Sequence, residues 1–383
     1  MAILVRSVIC ALGLASSIAM VHASESSSDS FGALKNKLNA SFNQDKTVVL
    51  DEFAASKKAY KQSFDKAKEK LGLIWDKPEL SNKTTWVQYS KNDAVKRTVN
   101  FESGEVVVEV ISSDQSSDDV KKVVDEQIQE LKNETTLQAY SKDKVLSEMK
   151  AKPSKLESNQ KVIPEVDSEK LQKTAKTSEY TQSNGTKVTR ITMSLPSNKI
   201  AQRALIYLED VNKMAAKWDV QPELILAIIH TESHFNPMAQ SHIPAYGLMQ
   251  VVPTSAGKDV TKLLLGKERL LTADILFDPK YNINIGTAYL NVLFTRYLTD
   301  VKDQDIKTYL AISSYNGGVG AVAKHISGKG SLSALAKKAN TLDPDTVYKS
   351  LSTTFPYKET RNYLKKVNNK KIYYSKLLKT SKI

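Results

Sequence analysis

Residues 221–237 read QPELILAIIHTESHFNP, and this stretch decides the fold of the carboxyl-terminal half of the chain. Pro222 suits the first position of a helix. Pro237 disfavours helical backbone at the residue before it, so the helix is expected to end there. Residues 224–229 are apolar on every side, which is typical of a helix buried in a core. The stretch therefore predicts a domain built around one buried helix.

One acidic residue, Glu232, lies near the end of this helix. It follows Ile225, Ile228 and Ile229 at spacings of seven, four and three, so it shares their face. Burial on that face disfavours the charged carboxylate and raises its pKa, and the negative end of the helix dipole acts in the same direction. A raised pKa suits a general acid in glycoside cleavage. A frayed, exposed glutamate or a structural ion-pair partner would fit the same pattern.

The chain changes character at Pro196. Before it, segments rich in Val and Thr are interspersed with helical ones, whereas helical periodicity dominates after it. We therefore predict an α+β N-terminal domain over 24–196, followed by an all-α domain over 197–383. Residues 141–183 are rich in Lys, Ser, Glu and Gln, which predicts a polar, flexible segment.

Individual elements follow from the same periodicities. The predicted strands are 84–89, 95–101, 105–111 and 186–195. The predicted helices are 32–71, 118–133, 199–217, 222–235, 254–266, 282–299, 303–315, 318–326 and 359–367.

The first 23 residues predict export. Arg6 precedes an apolar run over 7–20, and Ala23 supplies the small residue of a cleavage site. The run is shorter than the roughly 20 residues that a spanning helix needs. Removal of 1–23 would also remove Cys10, the single cysteine, and would exclude disulfides and cysteine nucleophiles. We predict a periplasmic protein without a cofactor; lipid attachment at Cys10 and peripheral association with the outer membrane are left open.

The formal net charge is +13, which favours polyanionic partners such as nucleic acid, an anionic membrane or a carboxylate-rich cell wall. The export signal argues against nucleic acid, and the chain has no recognised nucleic-acid-binding motif. A solvated basic face, or attraction to the anionic peptides of the wall, is therefore the expected explanation of the charge.

Five short motifs follow one another over about 130 residues. They read ESHFNP at 232–237, GLMQ at 247–250, PTSA at 253–256, SYNGG at 314–318 and ETRNY at 359–363. This ordered set resembles the lytic murein transglycosylases with a soluble-lytic-transglycosylase domain, which has a goose-lysozyme-like fold. Residues 73–75, 86–89 and 99–109 also resemble the amino-terminal domain of a membrane-bound branch of that family. The resemblance implies that the all-α domain is a lysozyme-like catalytic domain.

Carried over by motif position, the resemblance implies a role for six residues. Glu232 would be the catalytic acid and base. The other five would bind the sugar or lie beside the carboxylate: Ser241, Gln250, Tyr315, Asn316 and Tyr363. The implied reaction cleaves the β-1,4 bond between N-acetylmuramic acid and N-acetylglucosamine in peptidoglycan strands and leaves 1,6-anhydro ends without consuming water. Cell-wall synthesis or division proteins are the candidate protein partners.

Three other functions compete with this interpretation. A lysozyme-type muramidase would use water as the acceptor, and a wall-binding protein would need no acid at all. His230 and His234 have a spacing that can bind zinc, with His242 as a third ligand. Glu232 lies between them, however, which is not the His-Glu-x-x-His arrangement of a metalloprotease. We therefore predict no metal site.

Overall fold

The computed structural model describes residues 51, 54–112, 116–149, 160–163, 166–195, 200–241 and 245–380. All of them fall within one compact unit, Val49–Ile383. The predicted export signal with Cys10, the first part of the predicted helix 32–71, and His242 lie outside the described residues. Residues 196–199 do too, so the domain boundary predicted there stays a prediction.

A five-stranded antiparallel sheet forms the N-terminal part. Its strands are β1 (Thr85–Ser90), β2 (Val95–Asn100), β3 (Glu105–Ile111), β4 (Lys176–Thr181) and β5 (Lys187–Ser194). Their order across the sheet is β1-β2-β3-β5-β4. The register places Val99 opposite Val106, and both side chains are fully buried. Such β-branched pairs stabilise neighbouring strands. The four strands predicted from the sequence, β1, β2, β3 and β5, are confirmed.

The segment 141–183 was predicted to be polar and flexible or loosely ordered, and the described part of it forms regular secondary structure. It contains two short helices and strand β4. Every residue of β4 is exposed, so the strand lacks the apolar alternation that marks a strand in a sequence. Pairing with β5 and a 3.0 Å hydrogen bond from the Tyr180 hydroxyl to Glu109 hold it in place.

Five helices accompany the sheet. They are α1 (54–72), α2 (Ser117–Asn133), α3 (Thr136–Lys142), α4 (Lys144–Glu148) and α5 (Ser168–Lys173). Ser116 and Asp119 form a capping box at the start of α2, which satisfies backbone donors that a helix start leaves free. The buried residues of α2 follow the helical spacing that the sequence predicted.

The C-terminal part is helical, as predicted. Its helices are α6 (Ile200–Ile206), α7 (Leu208–Trp218), α8 (Pro222–Ser233), α9 (Lys258–Leu265), α10 (Ala273–Leu276), α11 (Pro279–Val292), α12 (Gln304–Gly317), α13 (Val319–Ser327), α14 (Leu332–Ala339), α15 (Pro344–Lys349) and α16 (Lys358–Thr380). Short π-helical turns occur at Pro253–Gly257, Leu293–Tyr297 and Ser350–Thr354.

Helix α8 is the buried centre of this part. Residues 224–229 are each at most 1% exposed, which confirms the prediction of a buried helix. The helix packs mainly against α16 and also against α7. Full burial of a Leu or Ile side chain contributes about 1.5–3 kcal/mol, so α8 is fixed firmly in the core. One apolar cluster runs from this core into the N-terminal part.

Within the described residues, no helix is long and apolar enough to cross a membrane.

Candidate active site around Glu232

Helix α8 ends directly after Glu232, and local contacts fix the position of that end. The Ser233 hydroxyl donates to the carbonyls of Ile229 (3.1 Å) and Leu248 (2.8 Å). His234 and Phe235 then adopt left-handed backbone, with φ of 51° and 65°. This conformation is unfavourable for residues other than glycine and is often found at functional sites. The helix end therefore holds Glu232 at a defined place beside the loop that contains Leu248.

The Glu232 carboxyl is buried, with 6% of the residue exposed. The ammonium of Lys83 lies 3.4 Å from its Oε2 atom. Burial raises the pKa of Glu232, whereas Lys83 and the Tyr363 hydroxyl lower it and Glu359 raises it; the net pKa is above that of an ordinary glutamate. This is the shift that the helix position predicted.

Two tyrosines lie close enough to Glu232 to sense its charge. Burial, followed by the charge of Glu232, raises the pKa of Tyr315 and of Tyr363 well above the ordinary value. The Tyr315 hydroxyl donates to the carbonyl of Met249 (2.9 Å). The Tyr363 hydroxyl neighbours the carboxyl, but it makes no hydrogen bond of ordinary geometry with any described residue. Tyr363 thus has a buried polar group available to a ligand or to Glu232.

Gln250 lies in the tight loop that follows α8. Its side-chain amide donates to the carbonyls of Ala239 (3.0 Å) and Gly247 (3.1 Å), and its φ is 46°. Its Oε1 atom is buried and has no hydrogen-bond partner among the residues that the structure describes. One end of the amide therefore braces the loop, and the other end is an acceptor without a protein donor.

Asn282 on α11 closes this loop. Its amide donates to the carbonyls of Tyr246 (2.8 Å) and Leu276 (2.7 Å), and its Oδ1 accepts from the amide of Met249 (2.8 Å). Gly247 has φ of 74°, and a Cβ atom there would lie 2.3 Å from the Asn282 side chain. The loop needs glycine at this position for both reasons.

The remaining two predicted residues, Asn316 and Ser241, make their hydrogen bonds with residues other than Glu232. The Asn316 amide oxygen accepts from the Thr360 hydroxyl (2.7 Å), which links α12 to α16. Ser241 is half-buried, and its backbone amide donates to the carbonyl of Ala245 (3.1 Å). The structure thus brings Tyr315 and Tyr363 to Glu232, whereas Asn316 is joined to a neighbouring helix. The sugar-binding roles of all these residues stay predictions.

Two charged residues at the site had no role assigned from the sequence. Lys83 is one of many lysines and lies in no recognisable motif, so the sequence offered no signal for it. Glu359 was part of the motif at 359–363, and it raises the pKa of Glu232. Two other acids of the C-terminal part are engaged elsewhere: Glu268 pairs with Lys258 (2.8 Å), and Asp278 caps α11.

The two histidines at the end of α8, His230 within the helix and His234 directly after it, contact other residues of the fold. The Nδ1 atom of His230 is 3.0 Å from the Tyr374 hydroxyl, and the Nε2 atom of His234 is 3.8 Å from Glu102. Burial lowers the pKa of His230 to about 3 and that of His234 to about 4. In the described part of the chain, no group of three His, Cys, Asp or Glu residues could hold a metal ion.

Comparison with known proteins defines the class of this domain. Residues 209–337 match the family model "Transglycosylase SLT domain". The matched segment is about a third of the chain and contains Glu232, Gln250 and Tyr315.

Particular relatives agree with this class. The chain is 44% identical over 180 residues to membrane-bound lytic murein transglycosylase C of Yersinia pestis (strain Pestoides F) and of Yersinia pseudotuberculosis serotype O:1b, covering 47% of this chain and 49% of each relative. It therefore spans about half the length of the curated relatives that it matches. The resemblance that the motifs indicated, including the membrane-bound branch, is confirmed.

Two solved structures are similar to part of the chain. One is an inactive mutant of lytic transglycosylase Slt from Pseudomonas aeruginosa, with 25% identity, a TM-score of 0.36, and coverage of 45% of this chain and 24% of that chain. The other is the 70 kDa soluble lytic transglycosylase from Escherichia coli, with 27% identity, a TM-score of 0.36 and the same coverage.

Proposed function

We propose that the protein is a lytic transglycosylase of peptidoglycan. It would cleave the β-1,4 bond between N-acetylmuramic acid and N-acetylglucosamine and form 1,6-anhydro ends. The observation that carries this proposal is the buried Glu232 carboxyl with its raised pKa, held at the end of α8 beside Tyr363. Glu232 also lies within the segment that matches the transglycosylase domain, which supports the same reaction class.

In the first step Glu232 acts as the acid. The protonated carboxyl gives its proton to the glycosidic oxygen as the bond from that oxygen to C1 of the muramic sugar breaks. The substrate's own N-acetyl carbonyl stabilises the positive charge at C1, as in substrate-assisted glycosidases. Glu232 is left as a carboxylate, and the N-acetylglucosamine fragment leaves with its new hydroxyl.

In the second step the same residue acts as the base. The Glu232 carboxylate takes a proton from the C6 hydroxyl of the muramic sugar while that oxygen forms a bond to C1. The carboxyl is restored, the anhydro ring closes and no water is consumed. Positioned proton transfer contributes about 10²–10⁴-fold to such a rate, and holding the sugar's own hydroxyl at C1 adds the advantage of proximity.

Two buried polar atoms of the predicted site suit substrate binding. The Gln250 Oε1 atom is buried and has no protein partner among the described residues, and the buried Tyr363 hydroxyl interacts with Glu232 but makes no hydrogen bond of ordinary geometry there. A buried polar group without a partner costs about 1–3 kcal/mol. Bonds from these atoms to sugar hydroxyl or N-acetyl groups would remove that cost and orient the sugar against the carboxyl.

The decisive experiment identifies the ends of the released sugars. Purified peptidoglycan is digested in water labelled with heavy oxygen, and the products are analysed by mass spectrometry. Wild type is expected to release anhydro ends without the label, and Glu232→Gln to release none. Glu223→Gln makes the same chemical change at a half-exposed position on the first turn of α8 and is the matched control. Full activity of Glu232→Gln would overturn the proposal.

The same experiment separates the competing functions. Labelled reducing ends would identify a hydrolytic muramidase, because hydrolysis places a water oxygen on C1. A protein that binds peptidoglycan without releasing ends in any variant would be a wall-binding protein.

The proposal extends to location and partners. Glycan strands of the wall are the proposed substrate, so the proposed site of action is the periplasm. Peripheral attachment of the protein to the outer membrane is part of the same proposal. Cell-wall synthesis or division proteins are the proposed protein partners, and nucleic acid is not one. Fractionation of cells that express the full chain tests this location.

A further inference from the structure

The N-terminal part of the chain contributes a charged group to the Glu232 site. Lys83 lies between α1 and β1, separated from Glu232 by 149 residues in the sequence. Its ammonium donates to the Glu232 Oε2 atom at 3.4 Å, and its side chain is 41% exposed, whereas that of Glu232 is 7% exposed. The cation therefore stands at the solvent-facing side of a buried carboxyl.

The backbone around Lys83 is fixed to the segment that follows α8. The side-chain amide of Asn236 donates to the Lys83 carbonyl (3.3 Å), and the backbone amide of Gln240 donates to the carbonyl of Asn82 (3.4 Å). The Asn82 side chain accepts from the amides of Thr84 (2.9 Å) and Thr85 (3.0 Å), which shapes the turn. These bonds use backbone atoms of residue 83 and its neighbours, so they survive a change of the Lys83 side chain.

A second set of contacts supports the same docking. The Tyr60 hydroxyl donates to the Gln240 Oε1 atom (3.2 Å), and the Gln240 amide donates to Asp143 (2.9 Å). Gln240 is 1% exposed. Two elements of the N-terminal part, α1 and the start of α4, thus hold the strand-like segment that lies next to Lys83.

We propose that Lys83 is a positioning residue for Glu232, and that the N-terminal part is required for catalysis because it delivers this cation. The inference rests on the proposed function, in which Glu232 changes from a neutral acid to a carboxylate during the first step. The ammonium is positioned to stabilise the negative charge as it forms. Electrostatic groups that are already in place when charge develops are among the largest contributions to catalysis.

Several other charged or titratable groups face the same carboxyl. Tyr315 on α12 and Tyr363 on α16 border it, and Glu359 and Lys370 on α16 interact with it electrostatically. Lys83 has the largest influence that favours the ionised form, followed by the Tyr363 hydroxyl. Without Lys83, burial and Glu359 would therefore raise the pKa of Glu232 further.

The test measures kcat and KM against pH for wild type, Lys83→Met, Lys83→Gln and Lys83→Arg. Activity falls as pH rises through the pKa of Glu232, because the acid loses its proton. In Lys83→Met and Lys83→Gln this limb is expected to move to higher pH by about one unit, since an opposite charge within about 4–6 Å shifts a carboxyl pKa by 1–3 units and Lys83 is partly exposed. We expect kcat on the plateau to fall about tenfold with KM unchanged, because one pKa unit is a factor of ten. Lys83→Arg should restore both.

Lys142→Met is the matched control. Lys142 is 48% exposed, and its ammonium lies 3.1 Å from the buried carboxyl of Glu134. The substitution therefore removes a comparable ion pair from the same part of the chain. It should leave both the limb and kcat unchanged. An unchanged limb and kcat in Lys83→Met, or an equal change in Lys142→Met, would overturn the proposal.

A measurement without substrate separates this proposal from the proposed function. NMR of isotope-labelled glutamate reports the Glu232 titration directly in wild type and in Lys83→Met. If wild type released no anhydro ends, the proposed function would fail, and the NMR titration would still show whether Lys83 lowers the pKa of Glu232. Identical titrations in the two proteins would refute the role of Lys83 alone.

Discussion

The carboxyl of Glu232 is subject to opposing influences. Burial disfavours its charge, Lys83 and Tyr363 favour it, and burial dominates, so the pKa is raised. The folded state then binds this proton more tightly than the unfolded state does. Under linkage, the carboxyl contributes stability that is present at low pH and is lost as pH rises through the folded pKa. The property that suits Glu232 to catalysis therefore reduces the stability of the fold at neutral pH.

Glu232→Gln is expected to be more stable than wild type at about pH 8 and to lose this advantage towards about pH 4, because only the wild-type residue has to ionise in a buried place. The size is about 1.4 kcal/mol for each unit by which the pKa is raised. Thermal unfolding across this range measures it, with Glu223→Gln as the control for loss of a carboxylate. A difference from wild type that does not change with pH would contradict the account.

Individual elements were predictable where burial is one-sided or complete. Helix α8 and four strands carry clear patterns, and all were found. Helices α3, α10, α14 and α15 were missed because each is short, at seven, four, eight and six residues. Helix α16 was predicted to end at 367 but runs to Thr380, because beyond Val367 only Tyr374 is buried and the helical pattern fades. The predicted helix 199–217 is two helices that meet at Tyr207.

The site depends on contacts that no local pattern encodes. The motifs identified Glu232, Gln250 and Tyr363 by resemblance, and the spacing of apolar residues predicted burial of Glu232. The ion pair with Lys83 joins two distant segments and exists only in the folded chain. The two hydrogen bonds between Asn282 and the loop at 245–251, and the third to the Leu276 carbonyl at the end of α10, are equally invisible in the sequence, because an asparagine within a helix has no distinctive spacing.

Asn282→Ala is expected to lower the free energy of unfolding by about 3 kcal/mol, since three buried backbone groups lose their partners at about 1–3 kcal/mol each and solvent reaches some of them. Activity should also fall, because the loop holds Gln250 and the carbonyl that binds Tyr315. Asn284→Ala is the control: Asn284 lies on the same helix, is half-buried and bonds Trp218 instead. Denaturant unfolding and peptidoglycan digestion measure the two effects. Equal losses in both variants would contradict the role of the loop.

At the scale of the whole molecule, Arg203 connects the two parts of the chain. Its guanidinium donates to the carbonyl of Phe101, at the end of β2, and to that of His234 (3.0 Å), at the end of α8. The side chain is buried. Together with Asn236 and Gln240, it fixes the N-terminal sheet against the end of the helix that bears Glu232. The docking of the two parts is therefore expected to matter for activity as well as for stability.

Arg203→Met is expected to destabilise the protein by about 3 kcal/mol, because hydrogen bonds from a charged donor contribute about 1.5–3 kcal/mol each. At temperatures where Arg203→Met stays folded, its kcat should be lower than that of wild type, as is expected for Lys83→Met. Arg361→Met is the control, since Arg361 bonds the carbonyls of Phe355 and Pro356 within the C-terminal part. Calorimetry and kinetics measure both variants. A destabilised Arg203→Met with full kcat would show that docking serves stability alone.

The central claim is that burial keeps the Glu232 carboxyl protonated beyond the range of an ordinary glutamate. An NMR titration of isotope-labelled glutamate side chains tests it most directly, with the resonance assigned by its absence from Glu232→Gln. The account predicts an apparent pKa clearly above the ordinary value of 4.5. A pKa at or below that value would contradict it, because the protonated fraction of Glu232 at neutral pH would then be too small for the residue to act as the acid.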